Sequence, residues 1–195
     1  MLLCADADAA SADLASGALA CPSCGAGRLR PWGRGRERVI RLRGGARARL
    51  SPRRGRCGAC QATHILLPSW MASRRADAVG VIAAAAAASA LHGTGTARIG
   101  ADLGVPGATV RGWLRRLRVG AEAMRQDAMV IFGRITAGHD APYPEPSGSA
   151  LGDALSAVAA CAHAAITFCG RTAADWEPLL GLFGLARFLA PAPGS

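Results

Sequence analysis

Two cysteine pairs, Cys21-Pro22-Ser23-Cys24 and Cys57-Gly58-Ala59-Cys60, are the residues best suited to chemistry in this chain, with 32 residues between Cys24 and Cys57. Tetrahedral zinc takes four soft donors at about 2.3 Å, and two C-x-x-C turns can each deliver two thiolates from a compact loop whose amides solvate the sulfur. Gly25 supplies the positive dihedral that such a turn often requires. A disulfide pair or a redox C-x-x-C is the competing reading. The paired spacing, together with an N-terminus lacking a basic start and a long apolar run, favours one structural Zn2+ held by Cys21, Cys24, Cys57 and Cys60. His64 follows Cys60 by four residues, but four cysteines already complete a structural zinc shell, so it is expected to be structural or exposed. Cys4, Cys161 and Cys169 have no partner at ligand spacing, and the last two sit among alanines, where a thiol behaves as a small apolar group.

The segment between the pairs is strongly basic. The chain carries a net charge of +10 from 23 basic residues, all of them arginine, against 13 acids. GC-rich coding alone can replace lysine by arginine, so the placement of the arginines matters more than their identity. Residues 21 to 60 hold twelve of them against the single acid Glu37. The −2 charge of a four-thiolate zinc centre leaves this block strongly positive. Glycines and prolines favour short strands and turns here, and Gly44-Gly45 reads as the turn of a hairpin between residues 38–43 and 47–50. Arg36, Arg38, Arg41, Arg43, Arg47, Arg49, Arg53 and Arg54 are the expected phosphate contacts, and displacement of condensed counterions would make such binding steeply salt-dependent. The alternative is a merely solvated arginine surface. Trp32 and Trp70 flank the ribbon and are expected to pack against it rather than stack on bases.

From Ser73 the texture turns helical, running to Leu91 before the breaker His92-Gly93-Thr94-Gly95. A second helix should start with Thr96 as its cap and end near Leu103; a third should run from about Ala108 through Arg118 toward Met129. Ile99 and Leu103 share one face, Gly104 makes the turn, and Val110, Trp113, Leu114 and Leu117 recur at helical spacing. That is the pattern of a helix-turn-helix. Its outer face would present Ala108, Thr109, Arg111, Gly112, Arg115, Arg116 and Arg118 to DNA, the small residues allowing close entry into the major groove. An ordinary helical hairpin would show much of the same pattern.

These elements imply a mainly α fold with a small β zinc ribbon: a flexible acidic N-terminus (1–20), a Cys4 ribbon with a basic hairpin (21–68), a homeodomain-like three-helix unit (73–130), a linker (137–149) and a C-terminal helical pair (150–190). The pair is expected near Leu151–Phe168 and Ala173–Leu189, with an apolar face of Leu155, Val158, Ile166, Leu179, Leu182, Phe183, Leu185 and Phe188. That face either caps the helical domain or joins two copies in a homodimer. The longest apolar stretches, Ala78–Leu91 and Ala154–Cys169, fall short of the ~20 residues that cross a bilayer, so the expectation is buried helices, no membrane, and a cytoplasmic, nucleoid-associated location. No Walker loop or dinucleotide fingerprint appears, and the acids after the third helix lack the strand-end setting of a two-metal nuclease, so no catalytic residue is expected. Double-stranded DNA is the expected partner. RNA is the alternative polyanion, disfavoured because aromatics make up only 5% of the chain.

The runs Cys21-Pro22-Ser23-Cys24, Leu29-Arg30-Pro31-Trp32-Gly33, Arg53 to Cys60 and Thr63-His64-Ile65-Leu66-Leu67-Pro68, followed by the helix-turn-helix, resemble an uncharacterised zinc-ribbon plus helix-turn-helix family of high-GC bacteria. They are also similar to the N-terminal DNA-binding end of insertion-sequence transposases. The resemblance covers roughly residues 20 to 125. It implies DNA binding, with the four cysteines on zinc, by a transcriptional regulator or a transposase-related recognition protein lacking its own catalytic domain. A protein-interaction adaptor and a DNA-binding subunit or remnant of a split transposase are the alternatives.

Overall fold

The structure is a computed structural model that describes residues 1–73 and 75–185. It is mainly helical with a small sheet, and the four paired cysteines gather in the N-terminal region. The N-terminal half contains β1 (Leu2–Cys4), α1 (Ala7–Ser16), β2 (Leu29–Arg34), β3 (Arg38–Arg41), β4 (Arg47–Leu50), β5 (Arg53–Cys57) and β6 (Thr63–Pro68). Four of these strands form one sheet in the order β1-β6-β5-β2, while β3 and β4 make a separate hairpin.

The first twenty residues are not a flexible acidic tail. Their acids build a helix: Asp6 caps α1, its carboxylate accepting from the Asp8 and Ala9 amides at 2.9 Å, and Asp8 lies in the first turn. Acidic groups are favoured there by the helix dipole. α1 then lays Leu14, fully buried, on the sheet beside Leu29 and Leu66. Gly55 on β5 is what admits it, because a Cβ there would lie 2.8 Å from the Leu14 side chain and 3.2 Å from that of Leu29.

The basic hairpin turns at Gly44 and Gly45, both at positive φ, which glycine adopts without steric cost. Its register sets Ile40 opposite Ala48 and Arg41 opposite Arg47. Ile40 is fully buried in the core of the helical half, so the hairpin is a joint between the two halves and not a free finger. Arg41 reinforces the joint. Its backbone exchanges hydrogen bonds with Ala76 (2.8 Å) and Ala78 (2.9 Å), and its guanidinium meets the Asp77 carboxylate at 3.0 Å. Burial pushes the Asp77 carboxyl up, and Arg41 and then Arg75 pull it back.

The helical half comprises α2 (Val79–His92), α3 (Thr96–Leu103), α4 (Gly107–Val119), α5 (Ala121–Ile135), α6 (Ala150–Phe168) and the short α7 (Trp176–Leu180). Four sequence expectations shift here. The first helix begins at Val79 rather than Ser73, after an extended stretch bridged to the hairpin at Asp77 and to Met71 at Ala78. Gly95, not Thr96, is the cap of α3. The expected long third helix is two helices that share Gly120 as cap. The last expected helix is likewise broken, into α7 and a π turn at Gly181–Leu185; Gly181 fits because a Cβ there would run into the Ser69 carbonyl. Phe188 and the residues around it lie outside the described residues.

The expected division into 73–130, a linker and a C-terminal pair is not kept. Leu151, Leu155, Val158 and Cys161 of α6 belong to the same core as Ile82, Trp113, Leu117 and Met124. The connecting loop is laid onto the helices, Tyr143 edge-on to Phe132 and His139 stacked on Phe168. Most of the apolar face assigned to the C-terminal pair is spent here: Leu155, Val158, Leu179, Phe183 and Leu185 are buried and Ile166 is partly buried, while Leu182 remains 39% exposed. α6 is long and apolar enough to cross a membrane by length and composition, yet 56% of that window is buried inside the fold.

Candidate metal centre and basic surface

The sulfurs of Cys21, Cys24, Cys57 and Cys60 all lie within 4.8 Å of one another. Two separations are the most telling, Cys21–Cys60 at 3.7 Å and Cys24–Cys57 at 3.8 Å. Tetrahedral coordination with metal–sulfur bonds of about 2.3 Å puts neighbouring sulfurs about 3.8 Å apart. The donor set therefore fits a tetrahedral metal ion, with one sulfur of each closest pair drawn from each C-x-x-C.

Both loops reach this geometry by the same device. In the first, the Gly25 amide donates to the Cys21 carbonyl at 2.9 Å and Gly25 takes φ +68°. In the second, the Gln61 amide donates to the Cys57 carbonyl at 3.2 Å and Gln61 takes φ +61°, a conformation that a side chain makes less favourable. Its own amide partly offsets this by donating to the Gly58 carbonyl at 2.8 Å. Each loop also aims one backbone amide at a sulfur: Gly27 at Cys24 and Cys60 at Cys57, both at 3.4 Å. Gly27 has to be glycine, since a Cβ there would collide with the Cys57 sulfur.

These amides set the electrostatics. The Cys60 amide, against the opposing cost of desolvation, holds the Cys57 thiol down to about 6. The Gly27 amide likewise lowers Cys24. Cys60 goes the other way: the Ala62 amide favours its thiolate, but desolvation and the three neighbouring sulfurs push it up to about 11. Four thiolates cannot share this space unaided, and a divalent cation at their centre removes the conflict.

His64 is buried beside the cluster, its Nε2 3.5 Å from the Cys21 sulfur and 3.4 Å from the Ser23 hydroxyl. Burial holds its imidazole below the usual range. It is a neighbour of the cluster and not one of the four that converge.

Around this centre the arginines fall into two groups. On the sheet, β2 and β5 set Arg30 opposite Arg56 and Arg34 opposite Arg53, and on the hairpin Arg41 faces Arg47. Like charges directly opposite one another destabilise a sheet. Of the eight expected phosphate contacts, Arg36, Arg43, Arg47, Arg49 and Arg53 are exposed and Arg38, Arg41 and Arg54 partly buried. Arg49 is paired with Glu37 at 3.3 Å and Arg41 with Asp77. Arg30, Arg34 and Arg56 were missed from sequence, although strand alternation around Pro31 and Gly55 carried the signal.

The second group lies on α4. Val110, Trp113, Leu114 and Leu117 are buried, leaving Ala108, Arg111, Arg115 and Arg118 exposed and Thr109, Gly112 and Arg116 partly so. Arg116 turns back to donate to the Gly112 carbonyl at 3.0 Å, and Arg118 reaches Ser89 at 3.4 Å. α4 packs closely on α3 because Gly100 has no side chain; a Cβ there would lie 2.6 Å from the Val105 carbonyl oxygen.

Trp32 packs against the ribbon by one face only. It is 49% exposed, and the Arg56 guanidinium sits over its ring at 4.6 Å. Trp70, expected against the ribbon, packs instead against the helical core, partly buried.

Residues 21–113 match a family model described as a domain of unknown function (DUF6431). The match takes in both cysteine pairs, the hairpin and the helices as far as Trp113, and leaves α5 to α7 outside. No curated protein and no solved structure matches the chain.

Proposed function

We propose that this chain is a zinc-containing, sequence-specific DNA-binding protein, acting as a transcriptional regulator or as a transposase-related recognition protein that carries no catalytic domain of its own. The observation that carries the reading is the arginine–arginine pairing across β2–β5 and β3–β4. A sheet gains nothing from opposing like charges. A phosphate lying against such a pair turns its repulsion into attraction and releases counterions as it binds.

In this reading one structural zinc ion on Cys21, Cys24, Cys57 and Cys60 fixes the register of β2 against β5, and thus the arginine spacing. The buried joint through Ile40 and Arg41 holds the hairpin beside α3 and α4, which act as a helix-turn-helix. α4 would enter the major groove with Ala108, Thr109 and Gly112 allowing close approach, Arg111 and Arg115 reaching base edges, and Arg118 the flanking phosphates. Arg116 has a lesser part, its guanidinium being engaged with its own helix. The location proposed with this reading is the cytoplasm, in association with the nucleoid.

The test is selection of bound sequences from a random duplex library with zinc-loaded protein, followed by titration of the winner at 50 and 200 mM salt. Affinity should fall on the order of a thousandfold for about six phosphate contacts, and an Arg111→Ala/Arg115→Ala variant should lose sequence preference. Recovery of no enriched duplex, with affinity indifferent to salt, overturns the reading in favour of a protein-binding adaptor.

A further inference from the structure

We propose that Trp32, backed by Arg56, is a stacking platform for one unpaired DNA base, so that the ribbon engages its target where a strand ends or is displaced beside the duplex. The inference rests on the DNA-binding reading above and adds to it a preference for DNA structure that α4 cannot supply.

Three features of the strand set this indole apart. Trp113 is buried and Trp70 and Trp176 partly so, leaving Trp32 the tryptophan most open to solvent. It lies on β2, the edge strand of the four-stranded sheet, between the exposed Arg30 and Arg34. The pairing with β5 also slips between Pro31 and Arg34, where Gly33 takes φ +76°. The regular pairing thus ends at the indole, which stays on the side of the strand that carries Arg30 and its partner Arg56.

Arg56 decides what the indole can stack on. Its guanidinium covers one face of the ring, leaving the other as the only stacking surface. A wedge inserted between two paired bases needs both faces free, so insertion into intact duplex does not suit this geometry. A single base that has left its pair needs one face. Arg56 also holds the indole in one orientation, reducing the freedom lost when a base lands on it, while the exposed Arg30, two residues along the same strand, is placed for an adjoining phosphate. Stacking on an aromatic ring accepts any base, so the platform would read strand structure while α4 reads sequence.

The experiment compares zinc-loaded full-length protein on three forms of one selected duplex: blunt, with a three-nucleotide overhang of either polarity, and with the same overhang made abasic. An overhang of one polarity should tighten binding by about tenfold, the scale of one stacked base, and quench tryptophan emission. The abasic overhang, which keeps the phosphates, should give no gain. Trp32→Ala should lose the gain while keeping blunt-duplex affinity and zinc content, Trp32→Phe should keep part of it, and Arg56→Gln should reduce it. Equal affinity for blunt and overhanging duplex, or an abasic overhang as good as an intact one, overturns the platform while leaving duplex binding standing. Failure to bind any of the three overturns the DNA-binding reading itself.

Discussion

The two halves of this molecule solve the same stability problem with different materials. Among the described residues, the helical half has a core of thirty-three buried side chains centred on Trp113, Ile82 and Val158, whereas α1 and the ribbon share six, of which two are the cysteines Cys21 and Cys57. A unit with so small a core is marginal without a further cross-link. Its basic strands add repulsion through the opposed arginines. A metal ion held by the four clustered sulfurs would do in the ribbon what apolar packing does elsewhere in the chain.

Removing metal should break this comparison most visibly. Binding to four thiolates contributes roughly 10–16 kcal/mol in small zinc domains, so a strong chelator, or Cys57→Ser, should abolish amide-exchange protection in β2, β5 and β6 while α2, α4 and α6 keep theirs. Equal loss in both halves would show that the ribbon's metal supports the whole fold. The same contrast should follow pH. Protons compete with the metal for all four thiolates, so acidification should release zinc, followed with a chromophoric chelator, ahead of any loss of helix.

A smaller effect is expected at the joint. Arg41→Ala leaves Asp77 buried without its partner, which should cost about 2 kcal/mol and lower the thermal midpoint. Because desolvation already exceeds the attraction on Asp77, adding Asp77→Asn should restore most of that loss. If the double variant is no more stable than the single one, the pair orients the hairpin through more than charge.

The smallest change sharpens a comparison inside the ribbon. Gly25 and Gln61 hold equivalent left-handed positions in the two cysteine loops. Gln61→Gly removes a strain of about 1 kcal/mol but also a side-chain hydrogen bond and adds backbone freedom to the unfolded chain, so chemical denaturation should show a net change within about 0.5 kcal/mol of zero. A clear loss would mean that the Gln61–Gly58 bond, and not the backbone, shapes that loop.

How much of this was legible beforehand depended on whether a feature is local. The cysteine loops announce themselves by spacing, and the hairpin by Gly44-Gly45 between arginine-rich arms. The buried stripe Val110, Trp113, Leu114 and Leu117 could be read directly from helical periodicity. α1 was missed because Asp6, Asp8 and Asp13 look like a solvated acidic tail until Leu14 is seen to fill the space above Gly55. The half-exposure of Trp32 was missed because the neighbour on its covered face, Arg56, comes from the paired strand, which no single strand records. The break at Gly181 was missed for a related reason, since its close neighbour, the Ser69 carbonyl, is far away in sequence.

The seat of α1 has an effect on geometry as well as stability. With Leu14 lodged over Gly55, one side of the β1-β6-β5-β2 layer is closed off, so a large partner can approach this layer only from the Trp32–Arg56 side. The ribbon is thereby a surface with a front and a back.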